Sequence, residues 1–412
     1  MFDFADDKEA LAISELVAAY GSYLQQRGYR VVSMTAYVHA VEHFIRWLAG
    51  EGIKLCESEK AVARFLADHL PGCSCPGPVQ RHKVTMRSAL AHLLRFMRAG
   101  GLIQAEESRW PSEIDNELTT FTNHLRHVCG LADNTVISRR QWVGRFLTHQ
   151  FPHGGINVAA LGPNDIHGFV KACCVGCQPG TAGVVCVCLR SYLRFRSLQN
   201  GDTVDRLLAA VPTIAKWPLA SLPKHLLSEE ADRWLNAFDR NDNQGKRDYA
   251  MARCLADLGL RCCEVAALRL DDIQWTAGTI SIGAGKSRRS DVLPLPAATG
   301  HAIADYLQTG RPQSKSRQLF VPHRAPFGEA VCPGLVRGAM RRAADRCGLA
   351  GRFSGPHMLR HTIATRLIAT GSNRKQIADL LRHRSLDTTA IYAKVDLVRL
   401  VRLAQPWPGG VL

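Results

Sequence analysis

The chain has 412 residues, 46% of them hydrophobic, and carries 52 lysines and arginines against 36 aspartates and glutamates, a formal charge of +16. That length exceeds what one hydrophobic core usually organises, so two or three domains are expected. So basic a balance points to a polyanion, nucleic acid first, because each neutralised phosphate releases a counterion. The opening Met1-Phe2-Asp3-Phe4-Ala5-Asp6-Asp7 is acidic where a secretory signal is basic, and no later stretch is apolar for long enough to span a bilayer. These features exclude a membrane partner and predict a cytoplasmic protein.

In chain order, the first half reads as a duplicated helical unit. Tyr37, Val41, Phe44, Ile45 and Leu48 repeat at helical spacing in the first copy, and Ile137, Val143, Phe146 and Leu147 do so in the second. Each is followed by a helix carrying a phenylalanine, Phe65 and Phe169. Each copy then closes on a helix with nearly the same words, LAHLLRF ending at Phe96 and LRSYLRF ending at Phe195. The proline-rich run VPTIAKWPLASLPKHL, from Val211 to Leu226, is an extended linker and marks a domain boundary. Beyond it Ser228 is expected to cap a helix whose first turn carries Glu229 and Glu230. The remainder alternates helices with two short strands, Thr279 to Ile282 and Val292 to Leu295, around the polar turn GAGKSRRSD. The predicted fold is mostly α: helical units over 1–108 and 109–215, then an α+β domain over 216–412 with a small antiparallel sheet.

Six residues of the last domain suit phosphodiester transfer. LGLRCCEVAALRLDDI places Arg261 where a helix restarts after Gly259, with Glu264 three residues on and on the same face. GPHMLRHTIATRL sets His357 and Arg360 at i and i+3, so both project from one side of a helix. DLLRHRSLDTTAIYAKV follows with His383 and Tyr392, and Lys286 sits in the β turn. These segments resemble the two signature boxes of the tyrosine recombinases, the phage-integrase family: an arginine followed by glutamate, then His-x-x-Arg, His and Tyr. The resemblance runs from about Ser228 to Val395, and reaches the helical units, SAM-like in this family, only by type.

The resemblance implies a DNA-breaking and rejoining enzyme that forms a 3′-phosphotyrosine at Tyr392 and frees a 5′-hydroxyl. Two guanidinium groups, Arg261 and Arg360, can grip the non-bridging oxygens of a pentacoordinate phosphate. Lys286 is the implied general acid for the departing 5′-oxygen. His357 assists proton handling, His383 bonds a phosphate oxygen, and Glu264 braces Arg261. The chemistry asks for no metal or cofactor. Family members hold DNA between the helical and catalytic domains and work as homotetramers on paired double-stranded recombination sites. The extra helical unit favours an integrase or transposase of a mobile element. A short helix after the tyrosine, carrying Leu397, Val398, Leu400, Val401 and Leu403, resembles the segment that docks on a neighbouring protomer. Arg382 stands where the family often has glycine, and Lys394 where a histidine commonly follows the tyrosine.

Other readings compete for some of these residues. Gly285-Lys286-Ser287 invites a phosphate loop, but position 280, where the motif needs glycine, is Ile280. The stretch from Ile377 to Tyr392 can be read as a helix-turn-helix with Arg382, Arg384, Thr388 and Thr389 as groove contacts, which leaves the upstream boxes unexplained. A type IB topoisomerase and a DNA-binding regulator that never cuts are the alternative functions. Fourteen cysteines in a chain of this length are expected as reduced thiols, mostly buried as small hydrophobes. Two sets invite zinc: Cys174, Cys177, Cys186 and Cys188, of which the last two fall on a helix, and His69, Cys73, Cys75 and His82 in a proline- and glycine-rich loop.

Overall fold

The computed structural model describes residues 4–103, 110–177, 179–200, 202–215, 223–283, 291–327, 330–382, 389 and 391–392, with side chains from residue 13 onward except at 179, 200, 202 and 203. Residues 104–220 form one compact unit, and residues 1–103 together with 221–412 form the other. Among the described residues no helix is long and apolar enough to cross a membrane.

The first bundle contains α1 (Phe4–Gln26), α2 (Val31–Gly50), α3 (Ser58–Arg64), continued by a π-helical turn over Phe65–His69, and α4 (Lys83–Ala99). Its core is closed by Tyr20, Phe44, Phe65, Leu90 and Leu93, all fully buried. The unit over 104–220 contains α5 (Ser112–Asn123), α6 (Asp133–Gln150), α7 (Pro163–Cys174), α8 (Pro179–Asn200) and α9 (Asp202–Ala210). Phe121, Phe146, Phe169 and Tyr192 close its core.

The two bundles share a skeleton of rings. Phe44 meets Phe65 edge-on at 5.2 Å between centroids and 74°, and Phe146 meets Phe169 at 5.2 Å and 72°. Phe96 packs on Tyr20 of α1, as Phe195 packs on Phe121 of α5. Offset or edge-to-face aromatic pairs of this kind contribute about 0.5–1.5 kcal/mol each beyond their buried area. One predicted core position differs: Ile137 is 49% exposed, and Val136 is buried in its place. The face of α6 that carries Val143 and Leu147 passes through position 136, so position 137 turns toward solvent.

The C-terminal domain contains α10 (Ser228–Asn236), α11 (Asn243–Asp257), α12 (Cys262–Ala267), β1 (Ile273–Gln274), β2 (Thr279–Ile282), β3 (Asp291–Pro294), α13 (Ala297–Asp305), α14 (Pro333–Arg346), α15 (His357–Ala369) and α16 (Arg374–Leu381). The antiparallel sheet has the order β1-β2-β3, with Ile273 opposite Ile280 and Ile282 opposite Asp291. Sequence periodicity anticipates two of these strands, the third beginning one residue early; β1, only two residues long, carries no period to read. Ser228 does not cap α10. Instead Glu230 reaches back to accept the backbone N–H of Leu227 at 2.8 Å. Helix α11 packs against α13, α14 and α15. It lies in a core that includes Trp234, Ile280, Tyr306, Phe320 and Met340.

The first bundle meets this domain at residue 327. The Phe327 N–H donates to the Arg27 carbonyl at 3.0 Å. A Cβ on Gly28, whose φ is +77°, would lie 2.2 Å from the Phe327 ring, so only glycine fits there. All fourteen cysteines are free thiols, but only Cys186, Cys188 and Cys254 are buried. The expectation of mostly buried thiols fails because many cysteines sit at helix ends and in loops.

Candidate active site

Helix α12 restarts the chain after a backbone turn that only glycine makes comfortably. Gly259 has φ +58°, and a Cβ there would lie 2.7 Å from the Leu381 side chain of α16. This close approach leaves the Gly259 carbonyl facing α15, where it accepts Arg360 Nη1 at 2.5 Å. Two residues on, Arg261 occupies the N-cap of α12. Its backbone N–H donates to Glu264 Oε2 at 2.7 Å and its Nη1 to Oε1 at 2.8 Å. Glu264 and Arg261 are therefore locked together as the spacing predicts.

Glu264 has a second cationic partner that the sequence did not announce. Arg382 Nη2 donates to its Oε2 at 2.6 Å, with both side chains largely buried. Burial acts to raise the Glu264 pKa, but the Arg261 backbone N–H and the two guanidinium groups outweigh it and hold the carboxyl below its usual range. Arg382 closes α16 in the left-handed conformation, φ 52° and ψ 51°. A side chain there costs about 1–2 kcal/mol, while removing one partner of its buried pair with Glu264 would cost about 3–5 kcal/mol. This is the position where the signature box prefers glycine.

Arg360 is 2% exposed. Its Nη2 has no hydrogen-bond partner among the described residues. Burial, then Arg261 and Arg382, bring its pKa down to about 10, while Glu264 and Tyr392 act to raise it, so the group stays cationic at neutral pH. A buried, uncommitted guanidinium N–H is costly unless an acceptor meets it, on the order of 1–3 kcal/mol. An anion seated against Arg360 would remove that cost.

Tyr392 is 1% exposed and packs with Ala364 of α15 and Ile377 and Leu381 of α16. Its hydroxyl lies 2.7 Å from Nδ1 of His361. Burial pushes the phenol up to about 12, against the pull of Arg360. Burial, followed by His357, Arg360 and His225, pulls His361 down to about 4. His357, the first residue of α15, is lowered by burial, Arg360 and Arg261, and its ring stacks edge-on against His361 at 4.8 Å. At neutral pH His361 is uncharged, so a nitrogen lone pair is available beside the phenol.

Among the described residues, Arg261, Glu264, His357, Arg360 and Tyr392 thus converge, joined by two that sequence reasoning missed, His361 and Arg382. A signal for His361 was present, since it follows His357 by four residues on the same helical face. In the sequence Arg382 stands out only as a departure from the signature box and as a candidate groove contact. Its burial against Glu264 and the full burial of Thr389 remove both from the helix-turn-helix reading. Lys286 and His383 lie outside the described residues, as do Arg384, Thr388, Lys394 and the segment from Leu397 to Leu403. The strands bracketing the Lys286 turn are described, and Asp291 at the base of β3 lies 3.8 Å from Arg382.

Comparison with known proteins shows the family. Residues 224–398 match the model of the phage integrase family. The chain is 38% identical to y4rA of Sinorhizobium fredii, described as an integrase/recombinase, over 95% of this chain and 94% of that one. It is 29% identical to tyrosine recombinase XerD of Mycobacterium tuberculosis, covering 71% of this chain and 96% of that protein. Among solved structures, the XerH site-specific recombinase bound to a palindromic difH substrate aligns with a TM-score of 0.57 at 20% identity, covering 73% of this chain and 98% of that one.

Proposed function

The chain belongs to the tyrosine recombinase/integrase family, enzymes that cleave and rejoin DNA, and from that premise we propose that it recombines paired sites through a 3′-phosphotyrosine formed by Tyr392. The observation that carries this reading is the contact between the buried Tyr392 hydroxyl and uncharged His361, beside the uncommitted Nη2 of Arg360. A scissile phosphate held by Arg261 and Arg360 brings negative charge to a place where, among the described residues, positive charge is in excess. The phenol oxygen attacks phosphorus, its proton passes toward His361, and the P–O5′ bond breaks. Lys286 supplies the proton that the 5′-oxygen needs, and His383 bonds a phosphate oxygen. Attack by a 5′-hydroxyl from the partner strand reverses the step, so the bond energy is conserved without a nucleotide cofactor.

In this reading residues 216–412 are the catalytic domain, 109–215 the core-binding domain and 1–108 a further DNA-binding arm. The assembly is a homotetramer on double-stranded DNA with two sites, acting for an integrating or transposing element. The decisive test uses a suicide substrate nicked beside the scissile phosphate. Wild-type protein becomes covalently trapped, and Tyr392→Phe, which loses one oxygen and keeps the ring packing, does not. Trapping by the phenylalanine variant would move the nucleophile elsewhere.

A further inference from the structure

A second polar cluster lies in the first bundle and takes no part in the chemistry above. His43 on α2, His69 at the end of the π-helical turn, and Cys73 and Cys75 in the following loop each offer a ligand atom, and all four atoms lie within 4.8 Å of one another. His43 Nε2 is 3.2 Å from His69 Nε2 and 3.2 Å from Cys73 Sγ, and Cys75 Sγ is 3.5 Å from His69 Nε2. Ordinary hydrogen bonding explains this poorly. Two Nε2 atoms at that distance can share one proton at most, and the thiols are weak donors. A tetrahedral zinc ion with bonds of about 2.0–2.3 Å sets its ligand atoms roughly 3.3–3.8 Å apart, close to the three separations of 3.2, 3.2 and 3.5 Å given above.

The surroundings are built for the same purpose. Nδ1 of His43 lies 3.1 Å from the Gln80 carbonyl. A carbonyl can only accept, so Nδ1 carries the proton and Nε2 presents its lone pair to the cluster. The Cys75 backbone N–H points at Cys73 Sγ at 3.4 Å, a contact that stabilises a thiolate. Arg81 donates to the Cys73 and Cys75 carbonyls at 3.3 and 3.0 Å, and Arg46 donates to the Pro76 carbonyl at 3.2 Å, so the loop is pinned around the four ligands. His82, the fourth ligand suggested by sequence spacing, is exposed, and its Nδ1 lies 3.3 Å from Thr85 Oγ1. His43 replaces it. The other cysteine set, Cys174, Cys177, Cys186 and Cys188, does not converge: Cys186 and Cys188 are buried in α8, and Cys177 Sγ donates to the Cys173 carbonyl.

We propose that His43, His69, Cys73 and Cys75 bind one structural zinc ion that fixes the loop between α3 and α4. Binding forms two Zn–N and two Zn–S bonds and releases the two thiol protons to solvent. Four protein ligands close the coordination sphere, so the ion holds structure and performs no chemistry. What it fixes is the start of α4, which presents exposed Lys83, Arg87 and Arg95; Arg98 on the same helix is committed to Glu59.

The test uses full-length protein dialysed to constant metal content and analysed by mass spectrometry of the elements. One zinc per chain is expected, and cobalt substitution should give the visible bands of a tetrahedral thiolate–imidazole site. Competition with a chromophoric chelator should show His43→Gln and Cys75→Ser weakened on the order of 100-fold or more, with His82→Gln unchanged. Should the variants fail to fold, wild-type protein stripped with chelator decides: its melting temperature should fall and return with zinc. Absence of zinc and of a tetrahedral cobalt spectrum overturns the proposal, as does wild-type affinity in His43→Gln or an unchanged melting temperature after stripping.

Discussion

The cluster around Arg360 and the cluster around His43 are both polar groups set into helical cores, and they are unbalanced in opposite senses. The first gathers Arg261, Arg360 and Arg382 around two carboxylates, Glu264 and, 3.8 Å from Arg382, Asp291, and so still carries surplus positive charge. The second gathers two imidazoles and two sulfurs, with the nearby Arg46 and Arg81 bonded to loop carbonyls, and so carries surplus lone pairs. Buried polar groups that do not satisfy one another indicate the ligand that would satisfy them. Positive surplus beside a nucleophile points to a phosphate, and converging lone pairs point to a metal cation.

The largest effect should come from removing the surplus charge itself. Arg360→Ala should slow strand cleavage by about 10²–10³-fold. Stability should change far less, because among the described residues Arg360 makes one protein hydrogen bond and leaves Nη2 uncommitted. Single-turnover cleavage and urea melts on the same preparations check this; a cleavage loss accounted for by unfolding would break the contrast between the clusters. A middling effect is expected at Arg382→Gly. Relief of the left-handed backbone returns about 1–2 kcal/mol, but leaving Glu264 short of a buried partner costs about 3–5 kcal/mol, so a net loss near 2 kcal/mol should appear in the urea midpoint. A variant as stable as the wild type would mean that Arg261 alone satisfies Glu264.

A further effect concerns pH. His361 has a folded pKa of about 4 against an ordinary 6.5, so the unfolded chain binds the extra proton between those values. Stability should therefore fall as pH drops from 6.5 toward 4, and His361→Gln should flatten that limb. Equal slopes in the two proteins would show that His361 is not held uncharged by its surroundings.

Much of this was legible in the sequence because it rests on local periodicity. Arg261 with Glu264, and His357 with Arg360, are neighbours on a single helix turn, and the structure keeps both pairs together. The matched phenylalanines of the two bundles were legible for the same reason. What escaped depends on tertiary approach. Arg382 finds Glu264 across 118 residues. His43 joins His69 from a preceding helix whose hydrophobic pattern gives a histidine no distinction. His82 was the natural choice by spacing, yet spacing along a loop does not say which way a side chain turns.

The contact between Gly28 and Phe327 has a consequence for how the chain is made. The residues of one compact unit come from 1–103 and 221–412, so a ribosome finishes the whole of 104–220 before the second part of that unit exists. The inserted unit is continuous in sequence and can fold as it emerges, but the first bundle must wait for its seat at residue 327. Closing so long a loop adds only slowly to the entropic cost, yet it orders events in time. During synthesis, Arg27 and Gly28 remain open to solvent and to chaperones until nearly three hundred further residues have been joined.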